Sequence, residues 1–392
     1  MIKKAYFTPY GVGLGHASRL LTIAERVKTN NDIYVKFSSF GEAVDFISRY
    51  GYDCNRVPPV EFSWNSQGSF SMKNSLSNIP SWFKNFTSQV VKEVGLMIKY
   101  SPNIVVSDSR LSSIVSAKLL GIPSIVLLNQ IKLLLSPKLH SFKAGRFFEI
   151  LNGEFIGTLW SLSNEILVPD LPPPYTISES NIWNTSSVMK KIKYVGFISP
   201  KRNISDQRIN YVMSLLNFTK ERPIVFFHIS GPSKTRLPII RKILEGQKYY
   251  RNKIQYVISE GKPNGDISPQ KLSENGWYYE WCPVRDELFA LSNILVLRGG
   301  HTTMSQAIQF GKPIISIPIE NHAEQISNSI KLKKIGIGII LKDEDCLAEK
   351  LEYAINEILN NNKFMTRSLE IMNFCEKLNG VQNVVNIVRS YI

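Results

Sequence analysis

The sequence predicts an α/β protein made of two doubly wound, Rossmann-like domains that face each other across a cleft. Three observations predict it. Short apolar runs of strand length alternate with stretches of helical periodicity. The alternation restarts once, after a polar, turn-rich stretch near the middle of the chain. A chain of 392 residues, 43% of them hydrophobic, is long enough for two independent cores.

In the first half the strands are "AYFTP" (5–9), "IYVKFSS" (33–39), "NIVVSD" (103–108), "PSIVLLN" (123–129) and "EILVPD" (165–170). "GVGLGH" (11–16) follows the first strand and leads into "ASRLLTIAERV" (17–27), which sets Leu20, Leu21, Ala24 and Val27 on one helical face. A glycine-rich turn between strand and helix suits a phosphate. The spacing Gly11, Gly13, Gly15 is not that of a dinucleotide fingerprint, however, and Ser38 and Ser39 stand where a ribose-binding acid belongs. No nicotinamide or flavin cofactor is expected. The stretch "YVGFISPKRNISDQ" (194–207) reads as linker. The second half then offers "PIVFFHIS" (223–230), "IQYVIS" (254–259), "ILVLR" (294–298), "PIISIP" (313–318) and "GIGIIL" (336–341). Open α/β sheets bind ligands beyond the carboxyl ends of their strands, where "GVGLGH", "SDSR" (107–110), "HISGPS" (228–233) and "RGGHTT" (298–303) all fall.

The net charge of +15 suits a polyanionic partner. Lys and Arg are spread over both halves rather than gathered in one stripe, which argues against nucleic acid. From Ser109 to Phe148 there is no Asp or Glu, and Arg110, Lys118, Lys132, Lys138, Lys143 and Arg146 are interleaved with Leu133, Leu134, Leu135, Phe142, Phe147 and Phe148. Such a mixture fits an anionic membrane surface, or else a solvated basic face beside an ordinary core. Trp82, Phe83 and Phe86 in "IPSWFKNFTSQVVKEVGLMIKY" (79–100) face either lipid or core. Cys54, Cys282, Cys346 and Cys375 lack paired spacing, the start "MIKKAYFTPYG" has no signal-peptide core, and no apolar run reaches the roughly 18 residues of a membrane span. A cytoplasmic protein, peripheral on the inner face of the membrane, is expected.

The stretch from Trp281 to Gln325 carries the most chemistry. "ILVLR" is a buried strand, "GG" a turn, and Thr302 and Thr303 open a helix through Met304, Ala307 and Ile308 that stops at Gly311 before Pro313. Free backbone N–H groups and the positive end of a helix dipole at such a turn fit a diphosphate; a plain strand, turn and Thr-capped helix is the alternative.

This segment resembles the donor-binding signature of GT-B nucleotide-sugar glycosyltransferases, particularly the UDP-glycosyltransferases, MurG and their archaeal relatives. The resemblance implies a GT-B fold and a nucleotide-sugar donor with no separate cofactor, since the nucleotide sugar is itself a substrate. It implies that Trp281 stacks on the nucleobase, that the backbone of Cys282 pairs with uracil, and that Gly300, His301, Thr302 and Thr303 hold the diphosphate. Arg298 matches an arginine of MurG-like members, and Glu324 and Gln325 match the pair that grips sugar hydroxyls. Ser230 and Gly231 in "HISGPS" match a second phosphate-facing loop, while His228 lies inside its strand and reads as packing. Two positions depart from the pattern: Val284 replaces a ribose-binding glutamine of plant-type members, and Gln306 a ribose-binding glutamate.

In such enzymes the first domain binds the acceptor, and its first glycine-rich loop, with Gly13 and Gly15, faces the donor. Direct displacement at an anomeric carbon needs a base for the acceptor hydroxyl, and an imidazole titrates in the useful range. His16 is the candidate, at a helix start that disfavours imidazolium. Asp108 is placed to orient it. The alternatives are a helix-capping or phosphate-contacting His16 and an Asp108 that caps the helix from Leu111. "DED" (343–345) imitates a metal motif but precedes a helix and reads as its N-terminal acids; no metal is expected. The expected division is 1–196 for the acceptor domain, 197–222 for the linker, 223–375 for the donor domain and 376–392 for a helix packing back on the first domain. The function expected is an inverting, metal-independent transfer of a hexose or N-acetylhexosamine from a UDP-sugar to a lipid or lipid-linked acceptor. A soluble acceptor, or a UDP-N-acetylhexosamine epimerase on the same fold using Asp108, Glu320 and Glu324, is the alternative.

Overall fold

The computed structural model describes residues 3–12, 14–28, 33–60, 79–132, 134–135, 140–182, 185–198, 204–231, 233–262, 265–344 and 347–392. Two compact units emerge. The first holds the chain to Pro200 and takes back Leu378–Ile392, and the second is built on Lys201–Lys377.

The first unit contains β1 (Lys3–Pro9), β2 (Ile33–Ser39), β3 (Cys54–Arg56), β4 (Ile104–Asp108), β5 (Ser124–Leu127), β6 (Glu165–Val168) and β7 (Ile192–Tyr194). They form one seven-stranded sheet in the order β3-β2-β1-β4-β5-β6-β7. Every pair is parallel. Helices return the chain on both faces, as parallel strands require. The strand order reverses between β1 and β4, and their ends are level, Pro9 beside Asp108. A crevice opens where helices leave in opposite directions from such a pair. The turn after β1 and the turn after β4 sit there.

In the second unit β8 (Ile224–His228), β9 (Gln255–Ser259), β10 (Gln270–Ser273), β11 (Gly276–Tyr279), β12 (Ile294–Leu297), β13 (Ile314–Ser316) and β14 (Gly338–Ile340) give the order β10-β11-β9-β8-β12-β13-β14. Only β10 runs antiparallel, paired with β11 as an edge hairpin. Here the order reverses between β8 and β12, which puts "HISGPS" and "RGGHTT" at the second crevice. Both units are therefore doubly wound, as the alternation predicts.

Each core follows from the apolar strands. In the first unit Ala5, Phe7, Phe37, Ile104 and Val106 pack on Leu20, Leu21 and Ala24 of the helix Gly15–Val27. Val384, Val385 and Val388 of the last helix, Gly380–Ser390, complete that core. In the second, Val225, Phe227, Tyr256, Ile258, Val296 and Ile315 pack on helices that include Ser233–Tyr250 and Leu347–Asn360.

Several elements escape the sequence reading. β3, β7 and β10 are three or four residues long and partly exposed, too short to show alternation. The stretch 197–222 is not plain linker: it contains the helix Asp206–Leu215, whose N-cap Ser205 accepts a hydrogen bond from the Arg208 N–H. That helix packs against Arg285–Leu291 in the second unit.

Candidate active site

In the first unit the helix Gly15–Val27 begins one residue before His16, with Leu14 at its N-cap. His16 is not a cap. Its Nδ1 lies 2.7 Å from Oδ1 of Asp108, the last residue of β4. Asp108 is fully buried and does not cap the next helix either, whose N-cap is Arg110. Its second oxygen accepts from Arg19 Nε at 2.7 Å, and Arg19 Nη2 reaches Oδ1 at 3.2 Å. Burial by itself raises the Asp108 carboxyl, but the Arg19 guanidinium and the hydrogen bonds from Arg19 and His16 outweigh burial and hold it below the usual carboxylate range. The ring of Tyr10 stands edge-on to His16 at 5.8 Å. A quarter of the His16 side chain remains open to solvent, so the far side of the ring is accessible.

An imidazole whose Nδ1 faces a carboxylate oxygen at this distance carries its proton on Nδ1 and presents Nε2 as an acceptor. That is the arrangement of a general base. Gly15 is the first residue of the helix; Gly13 lies outside the described residues.

In the second unit β12 ends at Leu297, and Arg298, Gly299 and Gly300 turn the chain into the helix His301–Gln309. Gly299 has φ of +85°, and a Cβ there would meet the Gln325 carbonyl oxygen at 2.9 Å, so only glycine fits. The Asn328 side-chain amide donates to the Gly299 carbonyl at 3.2 Å and fixes the turn. The helix starts one residue earlier than expected. Gly300 is its N-cap and has no side chain to cap with, so the Thr-capped alternative does not hold. The first intrahelical bond is Met304 N–H to Gly300 at 3.0 Å, leaving the N–H groups of His301, Thr302 and Thr303 directed outward from the helix start. Thr302 is exposed, Thr303 and Gly300 are half-buried, and His301 is buried.

Arg298 is 4% exposed, and its Nε and Nη1 have no hydrogen-bond partner among the described residues. Burial lowers its guanidinium to about 10, with Asp343 opposing the shift. Buried guanidinium N–H groups without an acceptor are costly unless an anion completes them. Ser230 and Gly231 lie beyond the end of β8, and Arg236 bonds the Gly231 carbonyl at 2.9 Å. Trp281 projects from the edge of the unit with 43% of its surface exposed. Among the described residues no helix is long and apolar enough to cross a membrane.

Residues 227–384 match the glycosyltransferase family 28 C-terminal domain, covering the whole second crevice. An uncharacterized glycosyltransferase of Methanosarcina mazei is 25% identical over 380 residues, 95% of this chain and 94% of its own. The UDP-N-acetylglucosamine–N-acetylmuramyl-(pentapeptide) pyrophosphoryl-undecaprenol N-acetylglucosamine transferase of Halothermothrix orenii is 24% identical over 382 residues, 92% of this chain and 91% of its own. Among solved structures, spinosyn rhamnosyltransferase SpnG complexed with thymidine diphosphate is 14% identical, covers 99% of both chains and superposes with a TM-score of 0.66. The chain is a GT-B glycosyltransferase.

The remaining signature positions of the glycosyltransferase divide by what their side chains already contact. Gln325 Oε1 already accepts from the Ile319 N–H at 3.0 Å, which leaves one lone pair and the amide N–H groups to offer. Val284 is buried as the N-cap of Arg285–Leu291, and Gln306 is buried within the helix His301–Gln309. Cys282 is buried, and burial pushes its thiol up to about 12. Glu324 is half-buried in the first turn of the helix Ala323–Lys334. His228 packs between Phe226 and Phe289, with ring centroids 5.7 and 6.0 Å away, and burial, with Arg285 assisting, lowers it to about 3. In "DED", Asp343 pairs with Lys242 at 2.8 Å, while Asp345 lies outside the described residues.

Two residues of the glycosyltransferase escape the sequence reading. Arg19 is one helical turn from His16, a spacing that puts both on one face, but only β4 shows what they share. His322 caps the helix Ala323–Lys334 through its Nδ1, 3.4 Å from the Gln325 N–H, and burial lowers it while Glu324 opposes.

The basic segment also changes. Arg110 is fully buried in an ion pair with Glu93 and donates to the Ser38 carbonyl at 2.6 Å; Lys132 is buried too. Lys118, Lys143 and Arg146 are exposed, and Leu133 and Lys138 lie outside the described residues. Leu135 is buried, and Leu134 half-buried. The helix Lys143–Trp160 is inverted in polarity. Glu149, Gly153, Gly157 and Trp160 face inward, while Phe147, Leu151 and Phe155 form an outward stripe, 62%, 53% and 68% exposed. At Gly157 a Cβ would meet Ser187 Oγ at 2.4 Å, so glycine lets this helix sit close. Glu149 holds the inward side by accepting from the Leu135 N–H at 2.7 Å and pairing with His140.

Proposed function

We propose that this glycosyltransferase moves a hexose or N-acetylhexosamine, with inversion, from a UDP-sugar to a hydroxyl of a lipid or lipid-linked acceptor at the cytoplasmic face of the membrane. The observation that carries the reading is the His16–Asp108 contact, which leaves Nε2 as a base. In the reaction the acceptor oxygen bonds to the anomeric carbon while the bond from that carbon to the diphosphate breaks. The acceptor proton passes to His16 Nε2, and Asp108 balances the imidazolium. A single displacement of this kind inverts the anomeric centre. The departing diphosphate carries its charge against Arg298 and the N–H groups at the start of His301–Gln309, so neither metal nor separate cofactor enters the proposal.

UDP is favoured by the name of the Halothermothrix orenii relative, and Trp281 offers an exposed face for the base. The thymidine diphosphate in the spinosyn rhamnosyltransferase makes a deoxythymidine donor the competing choice. For the acceptor, the outward stripe Phe147, Leu151 and Phe155 beside Lys143 and Arg146 favours a lipid surface. The epimerase alternative is disfavoured because Asp108 is committed to Arg19 and His16. The test is incubation of the full chain with UDP- and dTDP-sugars, with and without lipid extract, reading nucleotide release. Release that needs lipid supports the proposal; release with only soluble acceptors removes the lipid, and interconversion of free UDP-N-acetylhexosamines replaces transfer by epimerisation.

A further inference from the structure

The Asp108 carboxylate serves Arg19 and His16 at once, and its Oδ1 also accepts from the Ser109 hydroxyl at 3.4 Å. Its Oδ2 belongs to Arg19 Nε, whereas Oδ1 is shared by His16 Nδ1 at 2.7 Å and Arg19 Nη2 at 3.2 Å. Arg19 Nη2 also stands 3.3 Å from His16 Nδ1. Guanidinium only donates, so two arrangements compete. With the proton on Nδ1, both nitrogens donate to Oδ1 and every contact to the carboxylate is satisfied. With the proton on Nε2, Nδ1 would turn a lone pair toward Oδ1 at 2.7 Å, and the ring could no longer accept a proton at its open side. The observed distances select the first. Arg19 itself is 7% exposed, and its placement on the same helix as His16 makes the spacing between guanidinium and imidazole a property of the helix.

We propose that Arg19 is the positioning residue of this pair: it fixes the Asp108 carboxylate in line with Nδ1 and, as a permanent positive charge beside the ring, keeps the imidazole neutral and ready to accept. This rests on the reading of His16 as the base. The groups facing His16 are Arg19 on its own helix, Asp108 at the end of β4, and Tyr10 from the turn after β1, with the Ser109 hydroxyl on Asp108 Oδ1. Only two of them carry charge at neutral pH. Without Arg19, Asp108 would act on the ring unopposed and favour imidazolium.

The experiment is carbethoxylation of His16 as a function of pH, read peptide by peptide by mass spectrometry on the full chain, because diethylpyrocarbonate reacts with the neutral ring. It needs no transfer reaction, so it reports on Arg19 whether or not the proposed function holds. Arg19→Gln is expected to displace the reactivity curve to higher pH by about one unit, and Arg19→Lys, which keeps the charge, to leave it with the wild type. In transfer assays the acidic limb of kcat/KM moves in parallel for Arg19→Gln. For Arg19→Lys, kcat falls without a shift, because an ammonium cannot reproduce the two-pronged contact. A Gln curve superimposed on the wild type overturns the proposal. If Arg19→Gln does not fold, a Lys curve displaced from the wild type overturns it equally. Normal transfer by His16→Ala would instead remove the base assignment on which the proposal rests.

Discussion

His16 Nδ1 and Asp108 Oδ1 meet at 2.7 Å although ninety-two residues separate them, because β1 and β4 are neighbours at the point where the strand order of the first sheet reverses. The helix after β1 carries the imidazole and the end of β4 the carboxylate. His16→Ala is expected to abolish transfer, by about 100-fold or more, with UDP affinity nearly unchanged, since a base acts mainly in the transition state. Turnover assays and calorimetry check both halves. Near-normal turnover would reduce His16 to a structural role.

Asp108 also ties stability to pH. Its carboxyl is held below its unfolded value by Arg19 and His16 against the opposing effect of burial. The stabilisation is therefore present above about pH 4 and lost as pH falls through the lowered native value. Thermal unfolding from pH 6 downward is expected to show a loss that Asp108→Asn flattens, even though the variant is less stable throughout because Arg19 is left unpaired. An identical acid slope in both proteins contradicts the assignment.

His228 shifts by a different cause. It is buried and lowered to about 3, so the unfolded chain binds a proton between roughly pH 6.5 and 3 that the native state refuses. Stability falls as pH drops through that window. His228→Leu is expected to flatten this part of the profile and leave nucleotide affinity unchanged. A large loss of UDP binding would make His228 part of the donor site.

Much of the fold is legible in the sequence because its central strands, such as "IVFFH" and "ILVL", are buried on both faces and read as continuous apolar runs. The edge strands are not legible: Cys54–Arg56 is three residues long and partly exposed. The turns at the two crevices are legible from glycine and hydroxyl spacing, yet the commitment of Gln325 to the Ile319 N–H depends on a backbone path that no periodicity reports. Charge is the least legible property. Arg110 reads as surface because it opens the acid-free segment that begins at Ser109, but Glu93 on the helix Ile79–Tyr100 takes it into the core.

Arg298, Trp281 and Thr303 are expected to act before the chemistry. Arg298→Ala removes a buried cation whose Nε and Nη1 have no partner among the described residues, and UDP affinity is expected to fall about 10- to 100-fold, as for a charge-assisted hydrogen bond. Trp281→Ala and Thr303→Ala are expected to weaken it less, through lost stacking and one hydrogen bond. Calorimetric titration with UDP measures all three. Unchanged affinity throughout would remove the donor site from this crevice.

The last prediction concerns the inverted helix Lys143–Trp160. A helix of a water-soluble unit buries its apolar face, yet here Phe147, Leu151 and Phe155 point outward while two glycines and Glu149 point in, with Trp160 buried at the last turn. Lys143 and Arg146 stand exposed at the same end as Phe147, and each cation near an anionic headgroup contributes about 1 kcal/mol, screened within about a Debye length in salt. Lys132 is buried and drops out of this count. Phe147→Ser, Leu151→Ser and Phe155→Ser together are expected to abolish sedimentation with acidic vesicles at high salt, whereas Lys143→Gln with Arg146→Gln weakens it mainly at low and moderate salt. UDP affinity is expected to stay unchanged in both, because none of the five residues belongs to the second unit. If the wild type ignores acidic vesicles at low salt but forms a dimer that the triple Ser variant loses, the stripe is a protein contact and the acceptor is soluble.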